Sequence, residues 1–308
     1  MGGRKQSENA NSEKMEHISK AIERLIDESL AIEIEDAREA GALGFMARAL
    51  VQATMPHKDP KETRFVRTNG AFRLEMVALQ SDIGLPYGTI PRLMMSWVST
   101  EAVRTKSPVL VLGDSLSAFM DELGMVPTGG RWGSITRLRK QAIRLFTTAV
   151  SCTFQSSDPQ VRARSARNVL IAEAYDEYWW KPRDPQQRQL FESTVTLSSR
   201  FFEEIVHSPV PIDLRALKAL AKSPLAIDIY VWLTYRMSYL RRDTTIPWPV
   251  LETQFGAEYG RTRDFKAAFL QHLKSVLAMY RAANATVGPE GLVLRPSATH
   301  VRRLSHRT

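Results

Sequence analysis

Between Arg131 and Asn168 the chain carries Arg131, Arg137, Arg139, Lys140, Arg144, Arg162, Arg164 and Arg167 against a single acid, Asp158. Cations this dense repel one another when a chain compacts, so an anionic partner is the economical explanation for them. On a helix beginning at Ser134, the residues Ser134, Arg137, Gln141 and Arg144 fall at spacings that share one face. Arg can pair with O6 and N7 of guanine, and Gln with N6 and N7 of adenine, each through two hydrogen bonds. Such a stripe suits base recognition in a major groove; the plain alternative is a solvated charged face. Arg139 and Lys140 flank the stripe and suit phosphates, with Arg131 in the turn that enters the helix. Arg162, Arg164 and Arg167 alternate on a polar loop between two β-prone runs and suit phosphates or a minor groove.

A second set lies further along. Arg261, Thr262 and Arg263 open another expected helix, with Lys266 one turn on and Lys274 beyond it. The first turn of a recognition helix brings side chains and the positive end of the helix dipole to DNA. Asp264 dilutes the charge of this copy. Arg302, Arg303 and Arg307 form a basic tail that either reaches phosphates or stays solvated.

Covalent chemistry has weaker support. Gly124 and Gly129 have P-loop spacing, but Gly130 and Arg131 stand where the Lys and the Ser/Thr are needed, and the stretch follows a helix instead of a strand. His17, His57, His207, His272, His300 and His306 are dispersed, with no metal-binding pair among them. No Gly-x-Ser-x-Gly elbow occurs. The one cysteine, Cys152, excludes an internal disulfide and cysteine-based zinc motifs, and its apolar surroundings predict a core position. Expected are no catalytic residue, no metal and no cofactor.

The elements that must hold these residues are legible in the patterning. Residues 1–14 are polar and expected to be disordered. Ile18, Ile22, Leu25 and Ile32 form one stripe of a helix, interrupted by Gly41 and Gly44 before a shorter helical piece, Phe45–Thr54. That helix packs on its own domain or binds a partner. Asn69-Gly70 predicts a hairpin with a type I′ turn. A helix through TIPRLMMSWVSTEAVRT, a strand at Pro108–Leu112 and a helix capped by Asp114 and closed by Gly124 follow. The basic helix, Ser134–Ala149, then leads into strands at Val150–Phe154 and Val169–Tyr178. Helix, short strand, helix, turn, basic helix and hairpin is the order of a winged helix-turn-helix.

Asp176–Gln187 reads as a linker or domain edge. Beyond it the order repeats: a strand at Thr194–Leu197, a helix ended by Pro209 and Pro211, and a short helix capped by Asp213. An all-round apolar helix from Ser223-Pro224 belongs in a core. A short strand, a helix stopped by Gly256, a helix at Thr262–Tyr280 and a hairpin around Gly-Pro-Glu-Gly complete the series.

The chain has 308 residues and a net charge of +9, with ten acids and six bases in residues 1–42, so the remainder is strongly basic. Length and order together predict an α+β protein of two tandem winged helix-turn-helix domains. The expected divisions are 1–58 (a partly disordered, helical segment), 59–185 and 186–308. No secretory signal or membrane span is apparent, so a cytoplasmic protein is expected.

LPYGTIPRLMMSWVSTEAVRT, GDSLSAFMDELGMVPTGGRWGSITRLRKQAIRLF, YDEYWWKPRDPQQ, SPVPIDLRALKALAKSPLAIDIYVWLTYRMSYL and GLVLRPS together resemble RepA-type plasmid replication initiators, over about residues 45–300. The resemblance implies a bacterial protein that binds repeated duplex DNA sequences (iterons) at a plasmid origin. It further implies help in opening that origin and recruitment of the host replication initiator and the replicative helicase. In the broader class of two-winged-helix initiators, monomers activate and homodimers repress. Its DNA-facing role carries over to the two third helices only. The alternatives are a winged-helix transcriptional regulator or autorepressor, and an origin-nicking enzyme.

Overall fold

The structure, a computed structural model, describes residues 20–30, 32, 35–113, 115–155, 164–176, 193–256 and 259–301. A helix over 20–30 (α1) turns Ile22, Leu25 and Ser29 inward. Ser29 Oγ donates to the Met279 carbonyl at 3.4 Å, so α1 packs on its own chain. The expected helix from Phe45 is instead a strand, β1 (Leu43–Ala47), followed by only a short helix, α2 (Arg48–Gln52). A partner strand more than a hundred residues away overrides the local helical pattern.

The expected hairpin forms from β2 (Arg64–Asn69) and β3 (Phe72–Ala78), with Asn69 opposite Phe72. Its turn residues are therefore Gly70 and Ala71, one step later than expected. Only Gly70 takes positive φ, +55°, so the type I′ turn, which needs two such residues, is not formed. Next come α3 (Thr89–Thr105), β4 (Val109–Val111), α4 (Leu116–Glu122) and the basic helix α5 (Ser134–Phe146). Ser115 caps α4 by accepting from the Ala118 N–H, whereas Asp114, the expected cap, lies outside the described residues.

The expected wing is present as β5 (Thr148–Gln155) and β6 (Arg164–Leu170). It joins the earlier hairpin in one antiparallel sheet of order β2-β3-β5-β6. After Ile171 the chain enters β7 (Ala172–Asp176), and beyond the expected linker comes β8 (Thr194–Leu197). β8 pairs with both β4 and β7, so strands on either side of residue 186 share a sheet.

Ser198 caps α6 (Ser199–His207), and β9 (Pro209–Asp213) pairs antiparallel with β1. The Asp213 N–H points away from β1, to the Tyr230 hydroxyl at 3.0 Å. Pro209 and Pro211 share its parity, so their missing N–H groups forfeit no ladder bond. Asp213 caps α7 (Leu214–Ala219), and Ser223 with Pro224 starts α8 (Pro224–Tyr239), buried on nearly all sides.

Then come β10 (Thr244–Pro247), α9 (Trp248–Phe255), α10 (Thr262–Met279), β11 (Asn284–Val287) and β12 (Gly291–Arg295). The last three strands form a sheet of order β10-β12-β11. One cluster of buried apolar side chains runs from Ile32 to Leu294 and includes residues of both halves. Cys152 is half-buried against that cluster.

Candidate nucleic-acid interface

The helix α5 buries Leu138, Ala142, Leu145 and Phe146 and carries no acid, so its cations are not neutralised along their own helix. Arg137 and Lys140 stand exposed, and Arg139 is half-buried. The turn into α5 is held by a dense set of short-range bonds. The Thr128 N–H donates to Ser134 Oγ at 2.8 Å, while the Ser134 N–H donates to Thr128 Oγ1 at 2.8 Å. Ser134 Oγ donates onward to the Val126 carbonyl at 2.7 Å. Thr136 Oγ1 donates to the Gly130 carbonyl at 2.9 Å. Gly133 has no room for a side chain: a Cβ there would lie 2.2 Å from the Thr128 carbonyl oxygen. Ser134 is thus committed to shaping the turn, and Arg131 is exposed on it.

Two members of the expected outward stripe face inward. Gln141 is 6% exposed, and its side-chain oxygen accepts the Tyr87 N–H at 2.9 Å. Arg144 is half-buried: its guanidinium donates to the Leu85 carbonyl at 3.1 Å and lies 3.5 Å from the Asp59 carboxylate. It also stacks over the Tyr87 ring at 5.0 Å. The connection preceding α3 covers this side of α5 and consumes both polar groups. The exposed face comprises Arg137 and Lys140, with Arg131 at its entry. Asp59 is held below the usual carboxylate range: its burial acts in the opposite sense and is outweighed by the Lys61 N–H and the Arg144 charge.

Of the wing residues, Arg162 lies outside the described residues. Arg164 opens β6, and Arg167 is exposed further along it. Arg167 lines a cleft with Arg48, Arg200, Glu203 and Glu204, so acids share its surroundings. At the start of α10, Arg261 at the N-cap and Arg263 are exposed, while the Thr262 hydroxyl donates to Glu252 at 2.7 Å. Lys266 Nζ sits 4.6 Å from the centre of the Trp248 ring, which makes it a packing cation. Lys274 is exposed on the following turns. The basic tail, Arg302, Arg303 and Arg307, lies outside the described residues.

One arrangement was not legible in the sequence. Arg137 of α5 and Lys274 of α10 line the same groove, of about 890 Å³, together with Lys218 and Lys222. Lys218 on α7 and Lys222 in the turn before α8 fall at i+3 and i+7 from Arg215, a helical stripe, but nothing in their spacing shows that they meet α5 and α10. Trp132 was also missed, because aromatic residues are counted first as core; it is 82% exposed beside Arg131. Among the described residues no cluster of acids, histidines and cysteine could hold a metal ion. No helix among them is long and apolar enough to cross a membrane.

No curated protein matches the chain in sequence. Among solved structures, a crystal structure of selenomethionine derivatives of domains 2 and 3 of RctB is similar with a TM-score of 0.49 and 10% identity. It covers 80% of this chain and 98% of that one. A second crystal structure of RctB domains 2–3 has a TM-score of 0.46 and 12% identity, covering 80% and 94%. The sequence pattern of the family described as plasmid encoded RepA protein matches residues 85–249, from the turn before α3 to the start of α9. That match spans more than half of the chain, and the chain belongs to the family of plasmid encoded RepA proteins.

Proposed function

We propose that the protein initiates plasmid replication by binding repeated duplex DNA sequences at the plasmid origin. The observation that carries this is the acid-free helix α5, whose exposed face bears Arg137 and Lys140 with Arg131 at its entry. The series α3, β4, α4, α5 and the β5–β6 hairpin has the order of a winged helix. The series α8, β10, α9, α10 and the β11–β12 hairpin repeats that order. On this basis α5 and α10 each enter a groove, and the cations Arg261, Arg263 and Lys274 extend the footprint. Membership of the RepA family supports replication initiation as the purpose of that contact.

Bound at the origin in the bacterial cytoplasm, the protein draws in the host replication initiator and the replicative helicase. A homodimer is its repressing form. It acts by binding alone and breaks no bond in the DNA. Supercoiled origin DNA incubated with protein and Mg²⁺ remains supercoiled; a relaxed product would overturn the non-enzymatic assignment.

Fluorescence anisotropy with an origin duplex tests the contact itself. Neutralising about six phosphates gives a slope of log K against log salt near −5, from about 0.9 per phosphate. A slope shallower than about −2, or equal affinity for origin and scrambled duplexes, defeats the proposal.

A further inference from the structure

We propose that Trp132 is a stacking platform for a base displaced from the duplex, so that DNA with an unpaired base is a ligand of this protein in its own right. This rests on α5 being the DNA-facing helix. Trp132 sits in the turn entering α5 and is the most exposed large apolar side chain among the described residues, at 82%. Leaving an indole in water forgoes a large burial gain, so an exposed tryptophan that is also held in place calls for a partner.

The turn fixes its presentation. Ser134 and Thr128 bond each other reciprocally, the Gly133 N–H donates to the Gly130 carbonyl at 3.2 Å, and the Ile135 N–H donates to the Thr128 carbonyl at 3.3 Å. Only a glycine fits at position 133. The backbone that carries the indole is thereby ordered before any partner arrives, which lowers the ordering cost of binding.

The surroundings select a nucleic acid over a protein surface. The Arg131 guanidinium lies over the indole at 5.3 Å, and Arg137 and Lys140 stand exposed on the first turns of α5. No acid occurs from Leu123 through Ser157. A π-face backed by a guanidinium and flanked by cations offers stacking to a base and charge to its phosphates. Every base has a π-face, so this contact tolerates sequence and complements base reading by α5.

The test uses the full chain and two A·T-rich duplexes. One is fully paired, and the other carries a single 2-aminopurine unpaired in a one-nucleotide bulge. Anisotropy should show the bulged duplex bound about tenfold more tightly, the equivalent of about 1.4 kcal/mol. The 2-aminopurine fluorescence should be quenched on binding. Trp132→Ala should remove both the preference and the quench, while affinity for the paired duplex stays within about threefold. Trp132→Phe should restore most of both.

Equal wild-type affinity for the two duplexes, or a Trp132→Ala protein that still prefers and quenches the bulge, overturns the proposal. A Trp132→Ala protein that loses self-association in sedimentation and keeps the bulge preference does so too, and assigns the indole to a protein contact. Failure to bind even the paired duplex at low salt defeats the DNA-binding function itself, a result distinct from these.

Discussion

Arg92 on α3 and Asp228 on α8 form a two-pronged ion pair in the interior, with Nε donating to Oδ1 and Nη2 to Oδ2, each at 2.7 Å. The two side chains are 2% and 7% exposed. The guanidinium also donates to the carbonyls of Met55 at 2.7 Å, Gly88 at 2.7 Å and Pro56 at 3.1 Å. His57 Nε2 adds a bond to Asp228 Oδ2 at 2.8 Å. The opening helices of the two repeated series, and the segment before the first hairpin, therefore meet at one buried charge. Their packing sets where α5 and α10 stand relative to each other.

Asp228→Ala leaves the Arg92 charge buried and uncompensated. Breaking one side of a buried pair costs about 3–5 kcal/mol, a large fraction of the stability of a chain this size. Urea unfolding at neutral pH measures it. The Arg92→Met, Asp228→Leu double variant should lose less than Asp228→Ala alone, because no charge is stranded. A loss below about 1 kcal/mol for Asp228→Ala would show the pair to be dispensable.

Stability should also fall on the acid side in two steps. His57 is held below its ordinary 6.5, first by burial and then by the Arg92 and Arg67 charges, against the pull of Asp228. Asp228 is held below its ordinary 3.8: burial acts in the opposite sense and is outweighed by Arg92 and the His57 bond. A group whose folded pKa is depressed contributes stability above its unfolded pKa and loses it as pH falls through the folded one. His57 therefore begins to destabilise the fold below about pH 6.5, and Asp228 only in the region below about pH 3.8. In His57→Gln the first step should shrink to the part contributed by His272, which burial also holds below 6.5. Urea midpoints taken from pH 8 down to pH 5, at about half-unit steps, decide it; a variant with the wild-type slope would contradict the assignment.

Local signals in the sequence located most elements around these residues. Ser223-Pro224 marks the start of α8, Asp213 caps α7, and the all-round apolar run of α8 matches its burial. What stayed hidden were relationships between distant segments. β1 and β9 pair across the chain, as do β4 and β8, and neither partner carries a trace of the other. Gln141 and Arg144 show the same limit at the site. A helical stripe of polar residues looks alike whether water or a loop covers it. Here the loop at Leu85 and Tyr87 covers it and converts two expected base readers into fasteners.

Cys152 should be a slow nucleophile. Burial, aided by the Glu204 charge and opposed by Arg167, pushes its thiol up to about 12. The thiolate is the reacting form, so near pH 8 its population falls about a thousandfold relative to an ordinary cysteine. Because the chain has a single cysteine, iodoacetamide uptake followed by mass spectrometry reads this site alone. Native protein should react at least about a hundredfold more slowly than protein in concentrated urea. Rates within about tenfold would place the sulfur in an open environment.

Arg137 and Gln141 should separate binding from stability. Gln141→Ala removes the acceptor of the Tyr87 N–H and leaves that donor without its side-chain partner, which costs about 1–3 kcal/mol of stability. At a temperature where the variant stays folded, its affinity for origin and scrambled duplexes should match wild type within about threefold, because a 6%-exposed amide reaches no base. Arg137→Ala should do the reverse. Its exposed guanidinium contributes little to folding, so unfolding midpoints should barely move. If it reads a base, origin affinity falls by about 1–3 kcal/mol while affinity for scrambled DNA falls less. Equal losses on both duplexes would make Arg137 a phosphate contact, and base reading would then fall to Lys140 or to the second helix, α10. A specificity loss in Gln141→Ala with unchanged stability would instead return that residue to the DNA-facing stripe, and would require the Leu85–Tyr87 loop to leave α5 when DNA binds.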